Sequence, residues 1–489
     1  MRIALIIMFF INLFFGAIVV QECVFAGQKN RLAIISPHWE GIRREFSEAF
    51  GRWHKRQYLE DVEIEWLDLG GTSDDLRFIE AEFNRSPDGI GVDIFWGGGF
   101  DPYLKLSTEG VLLSYRMPDE LLSKIPSECL GMPIYDSEFR WYGTAMAGFG
   151  IVYNKPVLRL MGLYEPKTWS DLANPRLTGW VSSADPRESG SIHVMYELIL
   201  QIYGWEKGFE TITRICANTK AFATSAGHVI NSVASGDTAY GLAIDFYAWA
   251  KMAEVGKDNL GYVLPEEETV ISLDPIAILK GAPNLGLAKR FVQFVMSEEG
   301  QKLWMLPIGS KDGPKKFYLN RMSILPALYD DPDIIVPVNP FSRGTAQRAT
   351  TFRFDSDKAA KRWGLINDLI GVSLIDNHKM LVNAWRAIQK GGMKEEAVKN
   401  LVNAPLSEAE AMEYASRWDD YTFRNNVHAD WVVFTQGKYA GAAKISGVYG
   451  VGFVRAFLTA VRYFSPVCTV AFFLFLFTRK MLYIAKGQG

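Results

Sequence analysis

Short apolar runs alternate with helix-like apolar faces through the amino-terminal part of the chain. Residues 31–36 and 92–96 are short, mostly apolar runs typical of buried strands, and Val62, Ile64, Trp66 and Leu67 indicate another strand between them. The segments between them carry apolar residues at helical spacing, namely Ile42, Phe46 and Phe50, then Leu76, Ile79 and Phe83. Asp74 and Asp75 stand where the second of these helices begins, as the helix dipole favours. This alternation predicts an α/β fold with a mainly parallel sheet and helices on both faces.

A second block of the same type follows a long apolar run at residues 142–154. The alternation in that run suits a strand that crosses between two lobes. Residues 179–183 and 240–247 are further predicted strands, and a helix between them has one apolar face made of Ile192, Met195, Ile199 and Ile202. Farther along, helical faces recur, and Ser407 with Glu410 forms a capping-box pattern. We therefore expect two α/β lobes and a helical carboxyl-terminal part.

Glycine-rich and hydroxyl-rich loops occur where the predicted strands end. Ligands of parallel sheets sit outside the carboxyl ends of the strands, and helix amino termini bind anions through their unsatisfied N–H groups. Residues 70–73, 189–191 and 224–227 are three such loops, and the alternative for each is that its hydroxyl only caps a helix. The candidate ligand-binding residues are His38, Gly71, Thr72, Ser73, Gly98, Gly99, Ser189, Gly190, Ser191, Thr224, Ser225, Asp245 and Tyr247.

The amino terminus has the pattern of an export signal. Arg2 precedes an apolar run at residues 3–20, and Val24 and Ala26 place small residues before Gly27. We expect cleavage after Ala26, so that residues 1–26 are a signal peptide. An uncleaved anchor is the alternative, because the run is longer than the roughly 7 to 15 residues of a typical signal core.

A second apolar segment lies near the carboxyl terminus. Residues 463–478 carry no charge, and residues 463–484 are long enough to span a bilayer if the intervening basic side chains snorkel. Basic residues beyond residue 478 place the last residues in the cytoplasm and the rest of the chain outside. We expect a transmembrane anchor at 463–484 after a linker at 441–462, with a buried or interfacial hairpin, or a fused permease remnant, as the alternative.

Composition and motifs narrow the function classes. The chain is 48% hydrophobic and 22% charged, which is ordinary for a globular protein, and its net charge of −3 argues against a nucleic-acid partner. After signal removal, Cys129, Cys216 and Cys468 remain, which is no disulfide framework. We expect the first two to be buried thiols. The sequence carries no recognised catalytic or phosphate-loop motif, so we expect neither an enzyme nor a bound cofactor.

An ordered series of motifs resembles a known family. The motifs are the 92–93 strand entering Gly97-Gly98-Gly99, residues 150–154, residues 166–172 with Gly179, Asp185-Pro186 with Ser189-Gly190, residues 241–247, Gly281-Ala282-Pro283-Asn284, residues 288–291 and residues 297–301. In this order the chain is similar to the extracellular solute-binding proteins of ABC importers, within the branch named for ferric-iron binding. The resemblance covers roughly residues 32–325.

The resemblance implies a type II-like periplasmic-binding-protein fold whose two lobes close over a ligand. It places lobe one at 27–149 with 270–320, and lobe two at 150–269 with 321–440. It also implies a receptor outside the cytoplasmic membrane that hands a small ligand to an importer permease, and the segment at 463–484 is expected to anchor that receptor to the membrane. A membrane-anchored ligand sensor is the alternative function.

Iron-binding relatives typically carry two adjacent tyrosines where this chain has Phe246-Tyr247. Tyr247 and Asp245, with His38, are the tentative metal ligands if the cargo is ferric iron, a hard cation that prefers anionic oxygen. Because one phenol is missing, a phosphorylated or carboxylated organic solute, or iron carried with an anion, is also expected to fit the loops.

Overall fold

The computed structural model describes residues 30–332, 334, 337–342 and 352–447. A first compact unit takes in the described residues of Met1–His378 and Val402–Thr435, and a second takes in those of Lys379–Leu401 and Gln436–Gly489. The predicted signal peptide, the predicted anchor at 463–484 and most of the predicted linker lie outside the described residues. Within those residues, no helix combines the length and the apolar character that crossing a membrane requires.

The strands of the described chain include the long run predicted at 142–154. They are β1 (Arg31–Ile35), β2 (Glu63–Leu67), β3 (Ile94–Trp96), β4 (Glu128–Cys129), β5 (Met132–Pro133), β6 (Tyr142–Asn154), β7 (Val181–Ala184), β8 (Thr219–Ala223), β9 (Tyr240–Ile244), β10 (Leu260–Val263) and β11 (Ile271–Ile278).

The helices follow the predicted alternation with the strands. In the first lobe region they are α1 (Glu40–Tyr58), α2 (Thr72–Arg85), α3 (Asp101–Thr108) and α4 (Asp119–Leu122). Further along they are α5 (Lys155–Met161), α6 (Gly190–Tyr203), α7 (Trp205–Asn218), α8 (Ala226–Ala234), α9 (Asp245–Val255), α10 (Leu285–Met296) and α11 (Glu298–Met305). The carboxyl-terminal part has α12 (Ser356–Ile370), α13 (His378–Lys390), α14 (Glu395–Val402), α15 (Glu408–Ala415) and α16 (Tyr421–Ser446).

Two parallel groups of strands share one long central strand. Over the described residues the order is β2-β1-β3-β11-β6-β9-β7-β8, with β10 also paired to β6. The β2-β1-β3 and β9-β7-β8 groups are parallel, whereas β11 and β6 pair antiparallel with their neighbours. The first half of β6 pairs with β11 and the second half with β9. The chain therefore forms two α/β lobes joined through crossing strands.

An aromatic cluster forms the core of the first lobe beneath the strand ends. Phe46 contacts Trp96 and Trp304 with ring centroids 4.8 and 4.5 Å apart, and Phe291 packs edge-on against Trp96 at 5.5 Å. Pairs of this geometry add about 0.5–1.5 kcal/mol each to the stability gained from burial. Trp304 is fully buried, so it provides a fixed surface for the residues above it.

Cys129 and Cys216, which were predicted to be buried thiols, are both free and buried. Cys129 packs in the first lobe, and Cys216 on α7 lies 3.7 Å from the Tyr196 hydroxyl. Burial raises the pKa of each thiol to about 12. Both therefore stay protonated and act as small packing groups.

The second compact unit is helical in its described part. It contains most of α13, the greater part of α14 and the end of α16. Trp385 on α13 is fully buried, and the Lys394 ammonium donates a hydrogen bond of 3.2 Å to the Ile445 carbonyl. These contacts hold the end of α16 against the α13–α14 hairpin.

Candidate functional site

A cavity of about 900 Å³ lies where the strand ends of the two lobes face each other. Most of the candidate residues from the sequence line it, namely His38, Gly71, Thr72, Gly98, Gly99, Ser189, Gly190, Ser191, Thr224, Ser225 and Tyr247. Ser73 lies outside the lining and accepts a long hydrogen bond of 3.5 Å from the Trp363 indole. The structure thus brings loops from both lobes to one cavity, as expected from parallel strands that end at a shared edge.

Three helices begin at the cavity wall. Helix α2 begins at Thr72 in the first lobe, and α6 and α8 begin at Gly190 and Ala226 in the second. Each helix amino terminus carries unsatisfied N–H groups and partial positive charge. Such termini favour negative charge, which at α2 is supplied in part by Asp74, whose carboxylate accepts a hydrogen bond of 3.2 Å from the Gly71 N–H.

The hydroxyls at these helix starts do not serve as simple caps. Ser189 and Ser225 occupy the cap positions of α6 and α8, yet neither side chain accepts a hydrogen bond from a backbone N–H of its helix. The Ser189 hydroxyl instead lies 3.3 Å from that of Ser191, and the Ser225 hydroxyl lies 3.2 Å from Nδ1 of His228. The alternative that these two hydroxyls only cap their helices is therefore wrong. Both side chains line the cavity, where their hydroxyls can donate hydrogen bonds.

The loops of opposite lobes approach each other closely at one rim. A Cβ on Gly71 would come 2.4 Å from the Glu188 carbonyl oxygen, and one on Gly190 would come 3.0 Å from the Thr72 hydroxyl. The backbone at Gly71 is extended, with φ −118°. Gly71 is therefore required because a side chain would not fit there, and not because of its backbone conformation.

The floor of the cavity holds a buried cluster that the sequence did not predict. Asp274 on β11 accepts hydrogen bonds from Nε2 of His38, at 2.7 Å, and from Nη1 of Arg321. All three side chains line the cavity but are at least nine-tenths buried. An aspartate within the otherwise apolar run of β11 was the available signal, but nothing local pointed to Arg321.

Aromatic faces fix the Arg321 guanidinium. Its central carbon lies 4.5 Å from the ring centroid of Phe246 and 5.1 Å from that of Trp304. A cation over such faces gains about 0.5–2 kcal/mol, the more so when it is desolvated. The Nε atom has no hydrogen-bond partner among the described residues. Arg321 is therefore a positive group held in place mainly by Asp274 and two rings.

The charge states of this cluster follow from its surroundings. Burial alone would raise the pKa of Asp274, but the Arg321 guanidinium and His38 outweigh that effect and hold the pKa well below its usual range. Burial lowers the pKa of His38 and outweighs the attraction of Asp274. At neutral pH, Asp274 is therefore ionised, His38 is uncharged and Arg321 is positive, so the cluster is neutral overall.

Comparison with known proteins shows a likeness to one family. Residues 106–309 match the family described as bacterial extracellular solute-binding protein. The fold matches the periplasmic binding protein AfuA from Actinobacillus pleuropneumoniae, with exogenous fructose-6-phosphate bound, at 23% identity over 73% of this chain and 97% of that chain, with a TM-score of 0.54. It also matches the apo ferric ion-binding protein A of Pasteurella haemolytica at 14% identity over 70% and 96% of the two chains, with a TM-score of 0.53.

Two curated relatives are similar to this chain over more than half of its length. One is an uncharacterized protein of Haemophilus influenzae, 28% identical over 57% of this chain and 76% of its own. The other is the phosphoglycerate transport regulatory protein PgtC of Salmonella typhimurium, 23% identical over 59% of this chain and 69% of its own.

Tyr247 and Asp245, the tentative metal ligands besides His38, occupy different places. Tyr247 lines the cavity, and burial raises its pKa to about 12. Asp245 is fully buried outside the lining, where it accepts hydrogen bonds of 2.6 Å from the backbone N–H groups of Gly148 and Phe246, and burial raises its pKa to about 7. Among the described residues, no three His, Cys, Asp or Glu side chains form a group that could hold a metal ion.

Proposed function

We propose that this protein binds a small organic anion outside the cytoplasmic membrane and delivers it to an ABC importer. The observation that carries the proposal is the meeting of three helix amino termini, α2, α6 and α8, at one cavity. Such termini bind phosphate or carboxylate groups without a matching lysine or arginine. Hydroxyls of Ser189 and Ser225 stand beside them as further donors.

Two arginines at the cavity are already paired with carboxylates. Arg43 pairs with Asp68 at 2.9 Å, and Arg187 pairs with Asp185 and Asp376. Because these side chains are already neutralised near the solvent, they add little net attraction. The helix termini and hydroxyls therefore supply most of the anion affinity in this proposal.

The solutes for which two of the similar proteins are named or described are consistent with this class of ligand. AfuA is described with fructose-6-phosphate bound, and PgtC is named for phosphoglycerate transport. Both solutes are organic phosphates of a size that a cavity of about 900 Å³ accommodates. We extend the class, a phosphorylated or carboxylated organic anion, to this chain as part of the proposal.

Ferric iron carried with an anion is the second candidate, because the fold also matches the iron-bound HitA of Pseudomonas aeruginosa, with a TM-score of 0.51. Three features of the cavity disfavour it. Phe246 offers no phenolate, and the Arg321 cation beneath its ring repels a trivalent metal ion. Tyr247 would also have to lose a proton that burial makes harder to remove.

Native mass spectrometry of the full chain, purified from membranes in mild detergent without refolding, tests the two candidates. We expect a bound organic phosphate or carboxylate, no visible absorption band, and similar solute retention by the Tyr247→Phe variant. A coloured protein with stoichiometric iron, whose colour and iron are both lost in Tyr247→Phe, would overturn the anion proposal.

We further propose that the protein is exported and held at the membrane by residues 463–484, on the strength of the two apolar terminal segments. Fractionation of an epitope-tagged chain and protease treatment of spheroplasts test this. The tag within residues 30–447 should be degraded from outside. A tag protected until the cytoplasmic membrane is lysed would refute export.

A further inference from the structure

We infer that Asp274 and Arg321 form a hydroxyl-binding subsite on the cavity floor, and that the solute is therefore a phosphorylated sugar or polyol. The inference rests on the proposed function, since it takes the anionic end of the solute to lie at the helix termini. It adds a group that selects among organic anions.

Hydrogen-bonding capacity at the floor remains unused. Oδ2 of Asp274 is occupied by His38 and Arg321, but Oδ1 receives only a long bond of 3.4 Å from the Gly99 N–H. Of the Arg321 guanidinium, only Nη1 has a hydrogen bond to a described residue. One carboxylate acceptor and part of a guanidinium fork thus remain for a ligand at the cavity lining.

The neutrality of the cluster selects the kind of group. A second carboxylate would gain from Arg321 but would be repelled by the Asp274 carboxylate at nearly the same distance. A hydroxyl accepts a hydrogen bond from Arg321 and donates one to Asp274, so it satisfies both partners at once. Because both partners are buried, leaving either unpaired in a closed site is costly.

The floor lies next to the anion loops. Gly99 contacts Asp274, and a Cβ on Gly190, where α6 begins, would come 3.6 Å from the carbonyl oxygen of the adjacent Gly98. One small molecule can therefore place an anionic group at the helix termini and hydroxyls at the floor. Phe246 also lines this region, and an aromatic face suits the C–H face of a sugar or polyol.

Isothermal titration calorimetry on the full chain in detergent tests the inference, with fructose 6-phosphate, 3-phosphoglycerate and inorganic phosphate as probes. We expect fructose 6-phosphate to bind at least about tenfold more tightly than either other probe, because a buried pair built for hydroxyls rejects ligands without enough of them. The Asp274→Asn variant should lose most of this preference. The matched control is Glu197→Gln, which alters a fully buried ion pair with Arg362 outside the cavity lining and should keep it.

The outcomes separate the inference from the proposed function. If 3-phosphoglycerate binds wild type as tightly as fructose 6-phosphate, or if Asp274→Asn weakens all three probes by one common factor, the hydroxyl subsite is wrong while the anion receptor stands. If neither fructose 6-phosphate nor 3-phosphoglycerate binds, the inference is wrong, and the solute found by native mass spectrometry decides whether the anion receptor stands. If Asp274→Asn does not fold, the affinity of the wild-type protein for fructose 6-phosphate relative to the other probes still tests the inference.

Discussion

Replacing Gly71 with alanine should prevent full closure of the cleft without unfolding the protein. The new methyl group would lie 2.4 Å from the Glu188 carbonyl oxygen, whereas an ordinary contact is 3.4–4 Å. The obstacle is backbone, which cannot rotate away as a side chain can. The two loops must therefore part by about 1 Å, and the lobes separate more easily than the strands within a lobe.

The size of the effect follows from the cost of overpacking. An extra methyl group in a well-packed contact costs about 1–3 kcal/mol. Because only the closed state contains this contact, the cost falls on closure, and solute affinity should drop about five- to 150-fold. Unfolding stability should barely change, since Gly71 has an extended backbone that alanine adopts freely.

Calorimetry with fructose 6-phosphate and neutron scattering with contrast-matched detergent measure the two consequences. Wild type should shrink on binding, and Gly71→Ala should shrink less. Gly51→Ala on α1 is the matched control, because it makes the same substitution outside the cavity lining, where no atom lies within 4 Å of the new methyl group. Unchanged affinity and shrinkage in Gly71→Ala, or equal losses in Gly51→Ala, would refute the steric argument.

Three further changes test other parts of the molecule. Tyr247→Phe should weaken an organic anion by only about 0.5–1.5 kcal/mol in calorimetry; loss of all binding would contradict this. Burial raises the pKa of Asp75, whose carboxylate oxygens have no partner among the described residues, from 3.8 to about 8. The folded chain holds this proton more tightly than the unfolded chain, so its stabilising effect is present at low pH and lost as the pH rises from about 4 to about 8. Asp75→Asn should therefore flatten the fall in Tm across that window in scanning calorimetry, and an equally steep fall would count against the assignment. Glu197→Leu should cost up to about 3–5 kcal/mol in urea unfolding, because it leaves buried Arg362 with Glu408 as its remaining carboxylate partner, and adding Arg362→Met should recover part of that cost; a double variant less stable than the single would contradict it.

The local patterns of the sequence predicted the elements and the place of the site. Apolar runs marked β1, β2 and β3, and the polar loops after them proved to share one cavity, because parallel strands end at a common edge. The long run at 142–154 became β6, which pairs with both halves of the sheet. Periodicity carries this information because it reflects which face of each element is buried.

Local sequence patterns could not predict contacts between side chains that are far apart in the sequence. His38 and Asp274 are 236 positions apart, and Arg321 is a further 47 along. No local spacing records that three such residues meet. Asp245 is the opposite case, a residue that was predicted at the cavity but does not line it. It follows β9, as a cavity residue would, but α9 begins at Asp245, and its carboxylate accepts hydrogen bonds from backbone N–H groups away from the lining.

Phe246 links the missing phenol to the cluster beneath it. The resemblance to iron-binding relatives leads one to expect a tyrosine there, and a phenylalanine removes one anionic oxygen from any metal site. The same ring lies over the Arg321 guanidinium, which is bound to Asp274, which in turn binds His38. Of the two side chains suited to a metal, the aspartate is thus already engaged with a cation that the protein itself supplies, and the histidine is engaged with that aspartate. A solute without positive charge is the kind of ligand that such a floor accepts at the least electrostatic cost, which supports an organic anion that reaches this floor through its hydroxyls.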